Sequence, residues 1–166
     1  MEELAQLALD TLKSALDSIE ASREKEGQAL ALVLKKNTEE FKEVLKKLDS
    51  FVEIYEKEFQ IRYQKKLEEF LGAKVDEQRL LTELAILLER GDIHEELDRL
   101  AIHVQKLDEL IEAQCPVGRE LDFLIQEMNR EINTIGSKSN AIEIKNQVVQ
   151  SKTILEKIRE QVQNIE

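Results

Sequence analysis

Helix breakers are scarce in this chain. Its 166 residues include one proline and five glycines. Tryptophan is missing and aromatics make up 4%, so a core must come from Leu, Ile, Val and Ala. With 36% charged residues, this is the composition of long helices. No apolar run approaches the ~18 residues of a membrane span, so none is expected. The single cysteine, Cys115, excludes an intrachain disulfide. Met1 is followed by Glu2 and Glu3 rather than by a secretory signal pattern, and the expected location is the cytoplasm. Positive charge is also short, with a net charge of −11 and a pI near 4.9. That balance argues against a broad nucleic-acid footprint, which is usually basic. Cations do gather locally, at Lys35, Lys36, Lys42, Lys46 and Lys47, then at Arg62, Lys65 and Lys66. No GxxxxGK[ST] phosphate loop, zinc-knuckle cysteine set or Ser-His-Asp signature occurs, which leaves ATP hydrolysis and covalent acyl transfer unsupported.

What remains is helical periodicity. The length suits one domain. Residues 2–21 read as an amphipathic helix with Leu9, Leu12, Leu16 and Ile19 on one stripe. Gly27 weakens its continuation by roughly 1 kcal/mol relative to Ala. From Leu30 to Phe59 an apolar stripe keeps helical spacing. A break is expected near Asn37-Thr38, where Thr38 is placed to cap a second helix. A long helical hairpin or coiled-coil arm over residues 1–72 results, ended by Gly72. Residues 73–166 are expected to form a helical bundle. Asp76 caps a helix that packs Leu80, Leu84, Leu87 and Leu88 inward. Asp92 caps the next, with Glu95 completing an acidic capping box. Its stripe is Ile93, Leu97, Leu100, Val104, Leu107 and Ile111, and Cys115-Pro116 stops it. A helix from Gly118 is expected to end at Gly136. Asn140 with Glu143 is placed to cap the last helix. That helix carries a heptad of Ala141, Ile144, Val148, Ser151, Leu155, Ile158, Val162 and Ile165, a seam that wants a partner helix from this chain or another. The fold class is therefore all-α, with long antiparallel helices and an extended arm.

The helix from Gly118 to Lys138, GRELDFLIQEMNREINTIGSK, is unusual on its polar side. At about 100° per residue, Leu121, Leu124, Ile125, Met128, Ile132 and Ile135 share one face. Arg119, Asp122, Phe123, Gln126, Arg130 and Asn133 share the opposite one, with Glu127 and Glu131 on its shoulder. Such a set can bind anions, hold a metal, present donors to a polymer, or form a polar interface between helices. Glu127 and Glu131 lie one turn apart, so both carboxylates can point the same way and hold Mg²⁺ or Mn²⁺. The structural alternative is a solvated acidic edge, or a pair held by Arg130 or by an outside arginine. Arginine forks at Arg119 and Arg130 suit phosphate oxygens, with Gln126 and Asn133 between them. Lys138, in an expected Gly136-Ser137-Lys138 turn, is a further cation for phosphate. Asp92, Glu95 and Glu96 crowd one helix start, where acidic residues are stabilising whatever their chemistry. His103 shares a flank with Glu96 and Arg99, as a metal ligand, a general acid or base, or a partly buried histidine hydrogen-bonded to a neighbouring helix. His94-Glu95 opens like HExxH, but Asp98 occupies the second histidine position, so zinc-protease chemistry is excluded.

The Gly118–Lys138 string resembles the signature near the C-terminus of the bacterial YicC-like (YicC/YloC) endoribonucleases. Arg23-Glu24-Lys25-Glu26-Gly27 resembles the family's RExEG element. Residues 76–103, DEQRLLTELAILLERGDIHEELDRLAIH, resemble its central block, and Glu156–Glu166, EKIREQVQNIE, its C-terminus. The resemblance implies a cytoplasmic homo-oligomer, hexameric in the intact protein, that cleaves RNA with a divalent cation (Mg²⁺ or Mn²⁺) and acts in RNA turnover. Family members carry a further N-terminal domain that nothing here resembles, so the chain is expected to be a C-terminal part. Within that frame His103, Glu127, Glu131 and Arg130 are the expected catalytic residues. Glu96, Asp122, Glu127 and Glu131 are the expected metal ligands. Arg119, Gln126, Asn133 and Lys138 are the expected RNA contacts. The competing expectation is a helical oligomerisation or adaptor module without activity of its own.

Overall fold

A computed structural model describes residues 2–71, 78, 81–82, 85–86, 92–113, 116–139, 141–163 and 165. Four helices organise them: α1 (Glu2–Leu71), α2 (His94–Ile111), α3 (Gly118–Lys138) and α4 (Ile142–Val162). No strand occurs among the described residues. Of the expected helix from Asp76, only Gln78, Leu81, Thr82, Ala85 and Ile86 are described, all of them helical; its inward residues Leu80, Leu84, Leu87 and Leu88 and the stops at Gly72 and Cys115 lie outside the described residues.

The helices form an up-down-up-down bundle. Each of α1 and α3 packs against both α2 and α4. Lys35 pairs with Glu112 and Lys42 with Asp108, which sets α1 antiparallel to α2. Glu96 with Lys138 and Arg99 with Glu131 does the same for α2 and α3. The core is aliphatic, as the composition demands. Leu34, Phe41, Leu48, Leu100, Leu107, Leu121, Met128, Ile132, Ile135, Ile144 and Ile158 are each at most 2% exposed. Full burial of one such side chain contributes about 1.5–3 kcal/mol. The heptad of the last helix finds its partners within the chain: Ile144, Val148, Ser151, Leu155, Ile158 and Val162 are all buried.

Three local expectations fail: the N-cap of α2 is Ile93 rather than Asp92, with no side-chain cap hydrogen bond, and two expected helix breaks are absent. First, α1 is one unbroken helix, roughly 105 Å long at ~1.5 Å per residue, with no turn at Asn37-Thr38. Neither residue costs a helix interior more than about 0.7 kcal/mol. The Thr38 hydroxyl satisfies itself by donating to the Leu34 carbonyl at 2.9 Å, and both side chains are buried in the bundle. The arm is therefore not a hairpin within residues 2–71. Second, α3 runs through Gly136 to Lys138. A Cβ at Gly136 would stand 3.1 Å from Val148 Cγ1, so this glycine serves the close approach of α3 to α4 rather than ending the helix. Asn140 lies outside the described residues. The Ser139 hydroxyl oxygen accepts from the Ala141 N–H at 3.3 Å ahead of α4.

Candidate functional site

The α3 helix presents three surfaces, and the sequence fixes which residue occupies each. The apolar stripe packs into the bundle. One flank faces α2 and the other faces α4. Between them an outward ridge of Arg119, Phe123, Gln126, Arg130 and Asn133 is exposed. The polar face of this helix thus looks at solvent rather than at another helix of the chain.

The α2 flank is closed by ion pairs. Glu96 is buried, and Lys138 Nζ donates to its Oε1 at 2.7 Å. Its Oε2 is buried with no hydrogen-bond partner. Glu131 is also buried and meets Arg99 Nη1 at 3.4 Å, while the same guanidinium reaches Glu95. Those two carboxylates hold the Arg99 pKa above its ordinary value, Glu131 most strongly. His103 is half-buried one turn beyond Arg99. The antiparallel register sets it level with Glu127, one turn before Glu131. At the start of α2, Asp92 Oδ1 accepts from the His94 backbone N–H at 2.9 Å and lies 2.8 Å from its Nδ1. That backbone hydrogen bond, then the ring, lowers the Asp92 pKa. His94 is exposed, as expected of a first-turn residue.

The predicted metal ligands do not converge. Asp122 accepts from Gln126 Nε2 at 2.8 Å. Glu127 is held by Arg130 at 2.9 Å. Glu131 belongs to Arg99 and Glu96 to Lys138. Among the described residues no three His, Cys, Asp or Glu side chains gather in a group able to hold a metal. Lys138 stands in the last turn of α3 and is occupied by Glu96, not poised in a phosphate-binding turn.

The α4 flank is open. A groove of about 640 Å³ runs between α3 and α4, floored by Ile125 and Leu155. Asn129 and Asn133 line one side. Lys152, Lys157 and Arg159 line the other, with Glu156 and Glu160 among them. Arg159 grips Glu156 through Nε at 3.1 Å and Nη2 at 2.9 Å, which keeps the Glu156 carboxyl below its usual range. A second hollow continues past Arg119 and Asp122 to Gln163. Sequence reasoning reached Asn133 and Arg119 but not Asn129, Lys152 or Lys157. Their signal lay in the heptad of α4, because Lys152 adjoins the seam residue Ser151 and borders whatever surface that seam leaves open.

Residues 47–166 match the family described as endoribonuclease YicC-like, C-terminal. The chain belongs to the YicC-like endoribonuclease family. A protein named probable endoribonuclease YicC in Clostridioides difficile (strain 630) is 42% identical over 162 residues, spanning 93% of this chain and 54% of that protein. The probable endoribonuclease YicC of Haemophilus influenzae (strain ATCC 51907 / DSM 11121 / KW20 / Rd) is 45% identical over 92 residues, or 55% of this chain and 32% of that protein. The chain spans about half the length of the Clostridioides relative. The YicC-like match takes in α2, α3 and α4 whole, and with them both flanks of the ridge. Among the described residues, no helix of this YicC-like chain is long and apolar enough to cross a membrane.

Proposed function

We infer that the chain is the C-terminal part of an endoribonuclease that cuts RNA phosphodiester bonds and takes part in RNA turnover in the cytoplasm. One observation carries this reading. The polar face of α3, inside the region matching the endoribonuclease family, stands open to solvent beside a groove with lysine and amide walls. Arg119, Gln126 and Asn133 are placed to meet phosphate and sugar, and Lys152 and Lys157 extend that track on α4. His103, whose imidazole can both give and accept a proton, is the proton-transfer group. Arg130 and Glu127 form a neighbouring exchangeable pair.

The divalent cation of this proposal, Mg²⁺ or Mn²⁺, does not fit the carboxylates as they stand, since each is committed to a different partner. Binding it requires Glu127 and Glu131 to leave Arg130 and Arg99, within this chain or opposite another copy in a homo-oligomer, a hexamer in the intact protein. The test is cleavage of a labelled structured RNA with and without Mn²⁺ by the chain joined to its preceding half. The Glu127→Gln, Glu131→Gln double variant is expected to lose cleavage and keep its helical circular dichroism. Full activity in that variant removes these residues from the site.

A second reading has its own observation. Leu9, Leu12, Leu16 and Ile19 of α1 are each at least 55% exposed, on the face that buries Leu34 and Phe41 further along. An adaptor or oligomerisation module would use such a stripe, and it predicts assembly without RNA affinity.

A further inference from the structure

Phe123 is out of place for a phenylalanine. The chain has five, with two tyrosines and no tryptophan. Phe41 is fully buried and Phe51 packs against the core, yet Phe123 is 65% exposed. It forms a wall of a groove between α2 and α3 whose other lining residues are Lys106, Leu110, Arg119, Glu120 and Leu124. Leu110 and Leu124 are buried and make an apolar floor. Arg119 lies one turn before Phe123, on the same side of α3, and makes no ion pair with any described residue. Lys106 rises from α2 across the groove and shares its charge with Glu109 at 3.2 Å. An exposed ring over an apolar floor, with a guanidinium and an ammonium at its edges, matches the chemistry of an unpaired nucleotide. The base stacks on the ring and the phosphate meets the cations. A duplex offers no such base, because its faces are already stacked. Glu120, on the rim, disfavours a phosphate beside it and can accept from a base amine or a ribose hydroxyl.

We propose that Phe123 is a stacking platform for an unpaired nucleotide, held by Arg119 and Lys106, so that the chain selects RNA with single-stranded segments. The proposal rests on the RNA reading above and adds the substrate class. Arg119 also borders the hollow toward α4, which places the platform at one end of the outward ridge.

The chain lacks tryptophan, so Phe123→Trp introduces a single reporter at the platform. Its fluorescence should be quenched on titration with a single-stranded oligouridylate or oligoadenylate, and not by a matched duplex of equal length. In fluorescence anisotropy, Phe123→Leu should weaken single-strand binding by about tenfold, within the range measured for losing one stacked base, and leave duplex binding unchanged. Equal single-strand affinity for Phe123→Leu and the unaltered chain overturns the platform while leaving RNA binding in place. No RNA binding by the unaltered chain overturns both. A change of oligomeric state in Phe123→Leu, with RNA affinity intact, assigns the exposed ring to a protein contact instead and also overturns the proposal.

Discussion

Single residues show where packing overrules local preference. Ser151 occupies a heptad position and is fully buried, yet its hydroxyl has no hydrogen-bond partner. An unsatisfied buried hydroxyl costs about 1–3 kcal/mol, and alanine fits the same space with little cavity. Ser151→Ala should therefore stabilise the chain by about 1 kcal/mol, read as a higher urea midpoint at unchanged m-value. A lower midpoint would show that the hydroxyl is satisfied in solution. Gly136 makes the complementary point. Its sequence context reads as a helix end, but the 3.1 Å approach of Val148 to its missing Cβ explains why glycine stands inside a helix. No one-dimensional pattern carries that contact. Glu131 is similar: the sequence leaves open a metal ligand or a carboxylate held by an outside arginine, and the fold identifies that arginine as Arg99 of another helix.

At the scale of elements, periodicity did most of the work. The stripes of α2, α3 and α4 bury the residues their spacing selects, because a helix has one face to hide and the spacing defines it. What periodicity leaves out is the cover. In α1 one stripe runs from Leu9 to Val52; the portion from Leu34 to Val52 is buried and that from Leu9 to Ile19 is not. Helix starts were also legible where a side chain acts locally. Asp92 accepts from the His94 backbone N–H at the first helical residue of α2, although Ile93 rather than Asp92 is the N-cap. Asp92→Ala should cost about 1 kcal/mol at neutral pH, the net contribution of one hydrogen bond. The Asp92 pKa is lowered in the folded chain, by the His94 N–H first, so the charge contributes stability above its unfolded value of about 3.9. That contribution is lost as pH falls through the lower folded value. The gap between the unaltered chain and Asp92→Ala, followed by denaturation across pH, should be constant above about pH 5 and close below about pH 4. A gap that persists at the acid end contradicts the assignment.

The whole molecule is acidic, with a net charge of −11, and this is at odds with an RNA surface only if charge is averaged. Its acidic groups are widely neutralised in pairs: Glu96 by Lys138, Glu131 and Glu95 by Arg99, Glu127 by Arg130, Asp108 by Lys42. Lys152 and Lys157 face the groove between α3 and α4 instead. The candidate site was thus half legible. The α3 ridge followed from one helix and its angles. The α4 wall needed the packing of α3 on α4, and the failure of the carboxylates to converge needed that of α2 on α3. The most direct test is the salt dependence of binding to a fluorescent single-stranded RNA, for the unaltered chain and for Lys152→Glu, Lys157→Glu. Each phosphate contact on a single strand contributes ~0.7 to the slope of log affinity against log salt. If RNA lies along the ridge and its groove, the double variant binds more weakly and its slope falls by about 1.4. Equal affinity and equal slope in the two proteins would contradict RNA on this face.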